Sequence, residues 1–309
     1  MSSSAAPVPV ALHGWRLWLA GARPKTLPAA VVPVLLGTAA ADLMGRSRIV
    51  HALLALVVSL ALQVGVNYAN DYSDGIRGTD NTGLRVGPPR LVGWGLVTPS
   101  AVKRAMAIAF LVAAVAGLVL ALRTTPWLLA VGVVAIASAW FYTGGSRPYG
   151  YAGFGEIFVF VFFGLVAVLG TMYVQTEELS VVGWWCGLGA GLAATALLVV
   201  NNLRDIPGDT IVGKKTLAVR LGDTRTRKLY LMCIAGAIVV PVMVAIATEN
   251  LFPLIGVLSV VYARGPVSLV KSGTSGRALV DVLAKTGKFQ LAYGVFVAVS
   301  IVVVSRIWS

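Results

Sequence analysis

The sequence predicts a polytopic all-α membrane protein: a bundle of about nine transmembrane helices, with the N-terminus cytoplasmic and the C-terminus external. Three observations carry that prediction. Of 309 residues, 58% are hydrophobic and only 12% are charged, about half the charged share of an ordinary soluble domain. The apolar residues arrive in long runs, which argues against a soluble domain, a disordered chain, a disulfide scaffold or an outer-membrane barrel of alternating segments. A spanning helix needs ~20 apolar residues, so the apolar stock supplies roughly nine spans.

Taken in order, the first span, 26–44, follows Arg23 and Lys25, and Arg46 and Arg48 separate it from the second, 50–69. A polar stretch with Arg77, Arg85, Arg90, Lys103 and Arg104 leads to the third, 101–122, and Arg123 divides that from the fourth, 126–143. Arg147 stands before the fifth, 154–174; Glu177 and Glu178 form the turn before the sixth, 182–201. Seven basic residues from Arg204 to Lys228 precede the seventh, 229–247; the eighth, 250–268, and the ninth, 288–307, complete the set. When these spans alternate across a bilayer, all but Arg46, Arg48, Arg123 and Arg306 of the 25 basic residues fall on the N-terminal side. Lys and Arg collect in cytoplasmic loops, so that side is expected to face the cytoplasm, in a cell (plasma) membrane. The net charge of +13 is then a topology signal and not a sign of nucleic acid. The chain reads as one membrane domain, 1–309, without a signal-peptide layout at its N-terminus. Cys186 and Cys233 fall inside apolar runs as small core residues, and His13 and His51 are too far apart for a histidine-based metal site.

Five of the eight aspartates lie in two short stretches. The first is Asn67-x-x-x-Asp71-x-x-Asp74 with Asp80 beyond it, closing the second span; the other is Asn201-x-x-x-Asp205-x-x-x-Asp209, closing the sixth. Asn67 to Asn201 and Asp71 to Asp205 are both 134 positions apart, and the two spans have the same parity, so both clusters emerge on the cytoplasmic side. Asn67, Asp71 and Asp74 share one helical face if the helix continues that far. Pro207 disfavours helix at Ile206, which places Asp209 in a loop. Clustered acids repel unless a cation neutralises them, and hard oxygen ligands without Cys or His favour magnesium or calcium. Magnesium prefers one or two carboxylates completed by phosphate oxygens. Arg77, Arg85, Arg90, Arg204, Lys214 and Lys215 are placed to grip more of those oxygens. Acids and a basic rim at the mouth of a lipid-embedded bundle point to a diphosphate carried on a lipid tail.

These residues resemble the UbiA superfamily of intramembrane aromatic prenyltransferases, whose two aspartate-rich motifs cap helices two and six of a nine-helix bundle on the cytoplasmic side. The resemblance runs from Arg23-Pro-Lys-Thr-Leu-Pro28 to Lys214-Lys-Thr-Leu-Ala-Val-Arg-Leu-Gly222. One departure is that Gly78 stands where the commonest form of the first motif has an aspartate, with Asp80 two residues further on. Tyr142-Thr-Gly-Gly-Ser-Arg-Pro-Tyr149-Gly-Tyr-Ala-Gly-Phe-Gly-Glu156, followed by Gly170-Thr-Met-Tyr173-Val-Gln175, is similar to the 1,4-dihydroxy-2-naphthoate polyprenyltransferase branch. That resemblance implies transfer of a polyprenyl group from polyprenyl diphosphate to 1,4-dihydroxy-2-naphthoate, with loss of carbon dioxide and diphosphate, giving demethylmenaquinone. It implies Mg2+ as cofactor, the lipid bilayer as surroundings, and no nucleic acid or obligatory protein partner. A 4-hydroxybenzoate acceptor is the nearest alternative. An ion-coupled transporter is the rival from another class, although its acids should sit near the membrane midplane.

Under that resemblance Asn67, Asp71, Asp74, Asp80, Asp205 and Asp209 are expected around the metal, with Asn201 beside them. Arg77 and Arg204 are expected on phosphate oxygens, with ordinary topology as the plain alternative; the same pair of readings holds for Arg23 and Lys25. Arg147 is expected to meet the naphthoate carboxylate or the diphosphate from a short turn that it shares with Tyr149. Tyr142 either shields the allylic cation with its ring or belongs to the interfacial aromatic belt. Glu156 either orients an acceptor hydroxyl or answers a helix dipole. Phe158, Phe160, Phe162 and Phe163 face lipid or the prenyl tunnel. Gly187, Gly189 and Gly191 read as close helix packing. The partial phosphate-loop pattern Gly208-x-x-x-x-Gly213-Lys214 is set aside, because Lys215 stands where Ser or Thr should be. The Gly- and Pro-containing loop 84–99 is a conceivable lid.

Overall fold

A computed structural model describes residues 13–79 and 90–308; Asp80, Arg85 and the first part of the 84–99 loop lie outside the described residues. The helices are α1 (Trp15–Ala22), α2 (Pro28–Leu43), α3 (Ile49–Ile76), α4 (Pro99–Arg123), α5 (Leu128–Phe141), α6 (Gly155–Thr176), α7 (Val181–Ile211), α8 (Leu217–Ala247), α9 (Phe252–Lys271) and α10 (Leu279–Trp308). The turn Pro24–Thr26 joins α1 to α2 across a 54° bend. Prolines at the first turn start α2 and α4, where no partner for a backbone N–H is lost. Ser180 and Thr216 cap α7 and α8 by accepting the Gly183 and Val219 N–H groups.

Among the described residues seven helices are long and apolar enough to cross a bilayer, or eight if the bent α1–α2 pair is counted as one span. The fourth apolar segment, α5, is a helix of only 14 residues, short of the ~20 that a perpendicular span requires. Hydropathy also underestimated several helices, since it registers the greasy part of a helix and not its polar extension. α3 continues to Ile76 and α7 to Ile211, so the polar motifs are helical. The expected loop position of Asp209 is therefore corrected: Pro207 sits inside α7, near enough to its end that one missing N–H is tolerated. The connection after α7 shrinks to 212–216, because α8 begins at Leu217 and turns at Gly222, whose φ of 73° breaks the helical path.

α7 is the central element, and small side chains let its neighbours close on it. A Cβ at Gly189 would collide with Tyr293 Oη of α10, and one at Gly191 would lie 2.8 Å from the Phe160 ring of α6. A Cβ at Gly164 of α6 would lie 2.5 Å from the Gly191 Cα. Gly164 belongs to a π-helical turn, Val161–Val166, a local widening that often accompanies functional sites. The buried core joins α2, α6, α7, α8 and α10 around Leu36, Met172, Tyr230, Phe289 and Ile301. At one end of the bundle, Arg46–Glu178 (2.6 Å), Arg48–Glu177 (3.4 Å) and Arg306–Asp42 (3.1 Å) tie α2, α3, α6 and α10 together. The first aspartate motif occupies the opposite end of α3.

Candidate active site

α3 delivers Asn67, Asn70, Asp71 and Asp74 on its buried side. Asp71 is fully buried, and its two carboxylate oxygens accept the backbone N–H groups of Leu91 and Val92, each at 2.9 Å. It therefore anchors the segment that returns after the first motif. Asp74 is the meeting point of three further segments. It accepts from Lys214 Nζ at 3.1 Å, from Arg90 at 3.4 Å and from the Tyr151 hydroxyl. Lys214 also lies over the Tyr151 ring, 4.4 Å from its centroid. Burial alone would lower the Lys214 pKa, but Asp74, Tyr151 and Asp209 outweigh it and hold the ammonium above its ordinary value. Burial, with Asp74 beside it, pushes the Tyr151 phenol up. At neutral pH Lys214 is thus an ammonium and Tyr151 a neutral phenol.

The second motif projects from the end of α7. Arg204 grips Asp205 with two parallel bonds, from Nε at 2.8 Å and Nη2 at 2.7 Å, and Nη2 also donates to Asn201 Oδ1 at 2.9 Å. Arg204 Nη1 is buried and has no hydrogen-bond partner among the described residues. Asp209 accepts the Lys214 backbone N–H at 2.9 Å, so the residue that closes the second motif leads directly into the side chain that reaches Asp74 of the first. Glu156 lies behind this motif, where its Oε1 accepts from Asn202 at 2.9 Å.

A turn between α5 and α6 supplies the aromatic groups. Arg77 donates to the carbonyls of Thr143 and Gly145, and Thr143 Oγ1 donates to Asn70 Oδ1 at 2.8 Å. The end of α3 thereby clamps the turn that carries Tyr142 and Tyr149. Tyr149 stacks on Phe158 with centroids 4.0 Å apart, meets Tyr142 edge-on at 5.5 Å, and donates its hydroxyl to Ser138 O at 2.9 Å.

These groups border a cavity of about 620 Å³. Its polar end is lined by Arg23, Thr26, Gln63, Asn67, Asn70 and Asn201, with Tyr142 and Tyr149 beside them. Leu118, Leu128, Phe162, Phe163, Val166 and Val174 line the remainder. Its wall follows α3 from Ala55 to Asn70, about 22 Å at 1.5 Å per residue. Of the residues expected from sequence, Asn67, Tyr142, Tyr149 and Asn201 line the cavity; Asp71, Asp74, Asp205, Asp209, Arg77, Arg204 and Glu156 stand around its polar end without lining it. Lys25 and Arg147 are exposed and line nothing there, whereas Arg23 does. Phe158, Phe162 and Phe163 face the cavity, while Phe160 packs against Gly191. Sequence reasoning did not single out Gln63, Asn70, Thr26 or Tyr151. The first two carried a signal, since uncharged amides inside an apolar helix, four residues before and three after Asn67, share its face.

Residues 30–278 match the model of the UbiA prenyltransferase family. A 1,4-dihydroxy-2-naphthoate octaprenyltransferase of Mycobacterium tuberculosis is 52% identical over 281 residues, covering 91% of this chain and 95% of that one. Its Escherichia coli counterpart is 40% identical over 243 residues, covering 77% of each chain. Among solved structures, a UbiA homolog from Archaeoglobus fulgidus bound to DMAPP and Mg2+ gives a TM-score of 0.64 at 15% identity. That likeness spans 91% of this chain and 99% of the other, and it concerns the fold.

Proposed function

The chain belongs to the UbiA prenyltransferase family, and from that premise we propose that it transfers a polyprenyl group from polyprenyl diphosphate to 1,4-dihydroxy-2-naphthoate. Carbon dioxide and diphosphate leave. The ring is then at the hydroquinone level, and a separate two-electron oxidation gives demethylmenaquinone. The observation that carries this reading is the cavity: a long apolar chamber with amides and tyrosines at the end where both aspartate motifs stand. The identity to naphthoate prenyltransferases over most of the chain favours this acceptor over 4-hydroxybenzoate. The acids stand at helix ends, which favours phosphate chemistry over ion transport.

The donor set suits magnesium, being amide and carboxylate oxygens with cations close by. Asn67, Asp74, Asp205 and Asp209 are the groups that would hold it, with Asp71 tied to Leu91 and Val92 behind them; Asp80 is assigned to the same set from sequence. When bound, Mg2+ supplies positive charge to the leaving diphosphate. The chain's own contribution is separable. Phe162, Phe163 and the aliphatic wall sequester the allylic tail from water, and the Tyr142 ring, which lines the same cavity, is assigned to stabilise the allylic cation with its π face. The unpartnered Nη1 of Arg204 offers a charge-assisted bond to a phosphate oxygen. Asn201 and Asp205 keep that guanidinium in place. Arg77 acts through the 143–145 turn, and Glu156 acts through Asn202. Lys25 and Arg147, exposed at the same end, are assigned to capture of the anionic substrates from the interface. Nine spans, an aspartate end facing the cytoplasm and residence in the plasma membrane complete the reading, on the strength of the basic-residue distribution.

The test is product identification by mass after incubating purified protein with polyprenyl diphosphate, Mg2+ and either dihydroxynaphthoate or 4-hydroxybenzoate. The expected product is a prenylated naphthoquinol lacking the carboxylate, lost with chelator and reduced about 10²–10³-fold in Asp205→Asn. A prenylated hydroxybenzoate would overturn the acceptor, and ion flux without either product would overturn the class.

A further inference from the structure

Gln63 sits one turn before Asn67 on α3, is 6% exposed and lines the cavity. The direction of its hydrogen bonds follows from two backbone carbonyls. Thr26 Oγ1 is 2.9 Å from Arg23 O, which can only accept, so the Thr26 proton goes there. Only lone pairs of Thr26 remain for its other neighbours, Gln63 Nε2 at 2.9 Å and Asn67 Nδ2 at 3.2 Å. Ala22 O, 2.9 Å from Asn67 Nδ2, fixes the second amide in the same sense. Both amides therefore turn their N–H groups toward the junction between α1 and α2. Their oxygens, Gln63 Oε1 and Asn67 Oδ1, accept no hydrogen bond from the described residues. The backbone at this junction is shaped for the purpose: Arg23 adopts φ 53°, an unusual conformation for a side-chain-bearing residue, and the turn it creates presents both Ala22 O and Thr26 Oγ1.

An amide oxygen on the wall of an apolar cavity is costly unless a donor meets it. The proposed reaction, on which this inference rests, brings two substrates to the cavity. A prenyl tail has no hydrogen-bonding group, and a diphosphate is rich in acceptors that repel a carbonyl oxygen. Of the two substrates only the hydroxylated ring donates, and the metal is assigned to Asn67, one turn nearer the aspartates. We propose that Gln63 Oε1 binds a ring hydroxyl of the aromatic acceptor, and that Thr26 is the positioning residue that keeps this oxygen facing the ring. Gln63 lies one turn, about 5.4 Å, deeper than Asn67. The hydroxyl is thus held on the cavity side of the motif, and the hydrogen bond it donates enriches the ring oxygen and the adjacent carbon in electron density. Thr26 precedes the family-matched residues 30–278, so the match itself assigns it nothing.

The experiment measures half-saturation for each substrate separately in wild type, Gln63→Met, Thr26→Val and Thr26→Ser, with unfolding temperature as the check on folding. Gln63→Met is expected to raise the KM for dihydroxynaphthoate about tenfold, the value of one buried hydrogen bond, and to leave that for polyprenyl diphosphate within about twofold. Thr26→Val moves the same constant in the same direction, and Thr26→Ser restores it. As a binding readout, a mono-O-methyl ether of the acceptor, tested as a competitive inhibitor, binds wild type more weakly than the diol does, and Gln63→Met removes that preference. An unchanged aromatic KM in a folded Gln63→Met protein overturns the inference while leaving the prenyl transfer standing, as does an increase confined to the diphosphate substrate. A wild-type protein that prenylates no hydroxylated aromatic overturns both.

Discussion

Asp74 receives donors from three segments, Lys214, Arg90 and Tyr151, and so couples the two aspartate motifs through one carboxylate. Removing Lys214 while Arg90 and Tyr151 remain is expected to cost about 1–3 kcal/mol, less than orphaning a buried charge entirely. The pH dependence has a definite sign. Lys214 and Tyr151 both have folded pKa values above their ordinary 10.5 and 10.0. Their contribution is complete below those values and disappears as pH rises through the folded ones. Thermal unfolding in detergent should therefore give a constant difference between wild type and Lys214→Met from pH 7 to about pH 10, narrowing above that. Much of this residue-scale detail was illegible in the sequence. Arg77 reads as a phosphate ligand by charge and position, yet its guanidinium is spent on the Thr143 and Gly145 carbonyls. No spacing rule shows which of several nearby arginines faces a turn that is 66 residues away in the chain.

At the scale of elements, the sequence was most informative where one face of one helix carries the signal. The shared face of Asn67, Asp71 and Asp74 holds because α3 stays helical to Ile76, and the glycines at 187, 189 and 191 mark close packing as their pattern implies. The π turn of α6 was invisible, because Val161–Val166 has the composition of any apolar helix and nothing in it marks the approach of Gly164 to Gly191 of α7. That contact gives a prediction. Gly164→Val should force α6 from α7, since even a Cβ would stand 2.5 Å from the Gly191 backbone. Overpacking of this kind costs about 1–3 kcal/mol, and it should appear as a lower unfolding temperature, with Gly208→Ala, whose Cβ meets nothing within 4 Å, as the comparison.

At the scale of the molecule, the uneven charge distribution was legible as a two-ended bundle, and Arg46, Arg48 and Arg306 do gather with Asp42, Glu177 and Glu178 at the end away from the motifs. Which end faces the cytoplasm is open to chemical labelling, because both native cysteines are buried. Exposed Ser47→Cys should react with an impermeant thiol reagent on intact cells, and exposed Ser146→Cys only after lysis. The cavity was not legible, since apolar residues facing a substrate and those facing lipid look alike along the chain.

A prenyl donor lying along the bundle with its diphosphate at the aspartate end would fill that cavity along its length. Gly170 lines it, and a Cβ there meets nothing within 4 Å, so Gly170→Phe places a ring in the chamber with little strain on the fold. The measurement is the product-length distribution when short and long polyprenyl diphosphates compete for the same acceptor. Gly170→Phe is expected to retain the short donor and to turn over the long one about tenfold more slowly, at an unchanged unfolding temperature. An unaltered length distribution in the folded variant would contradict this placement of the donor.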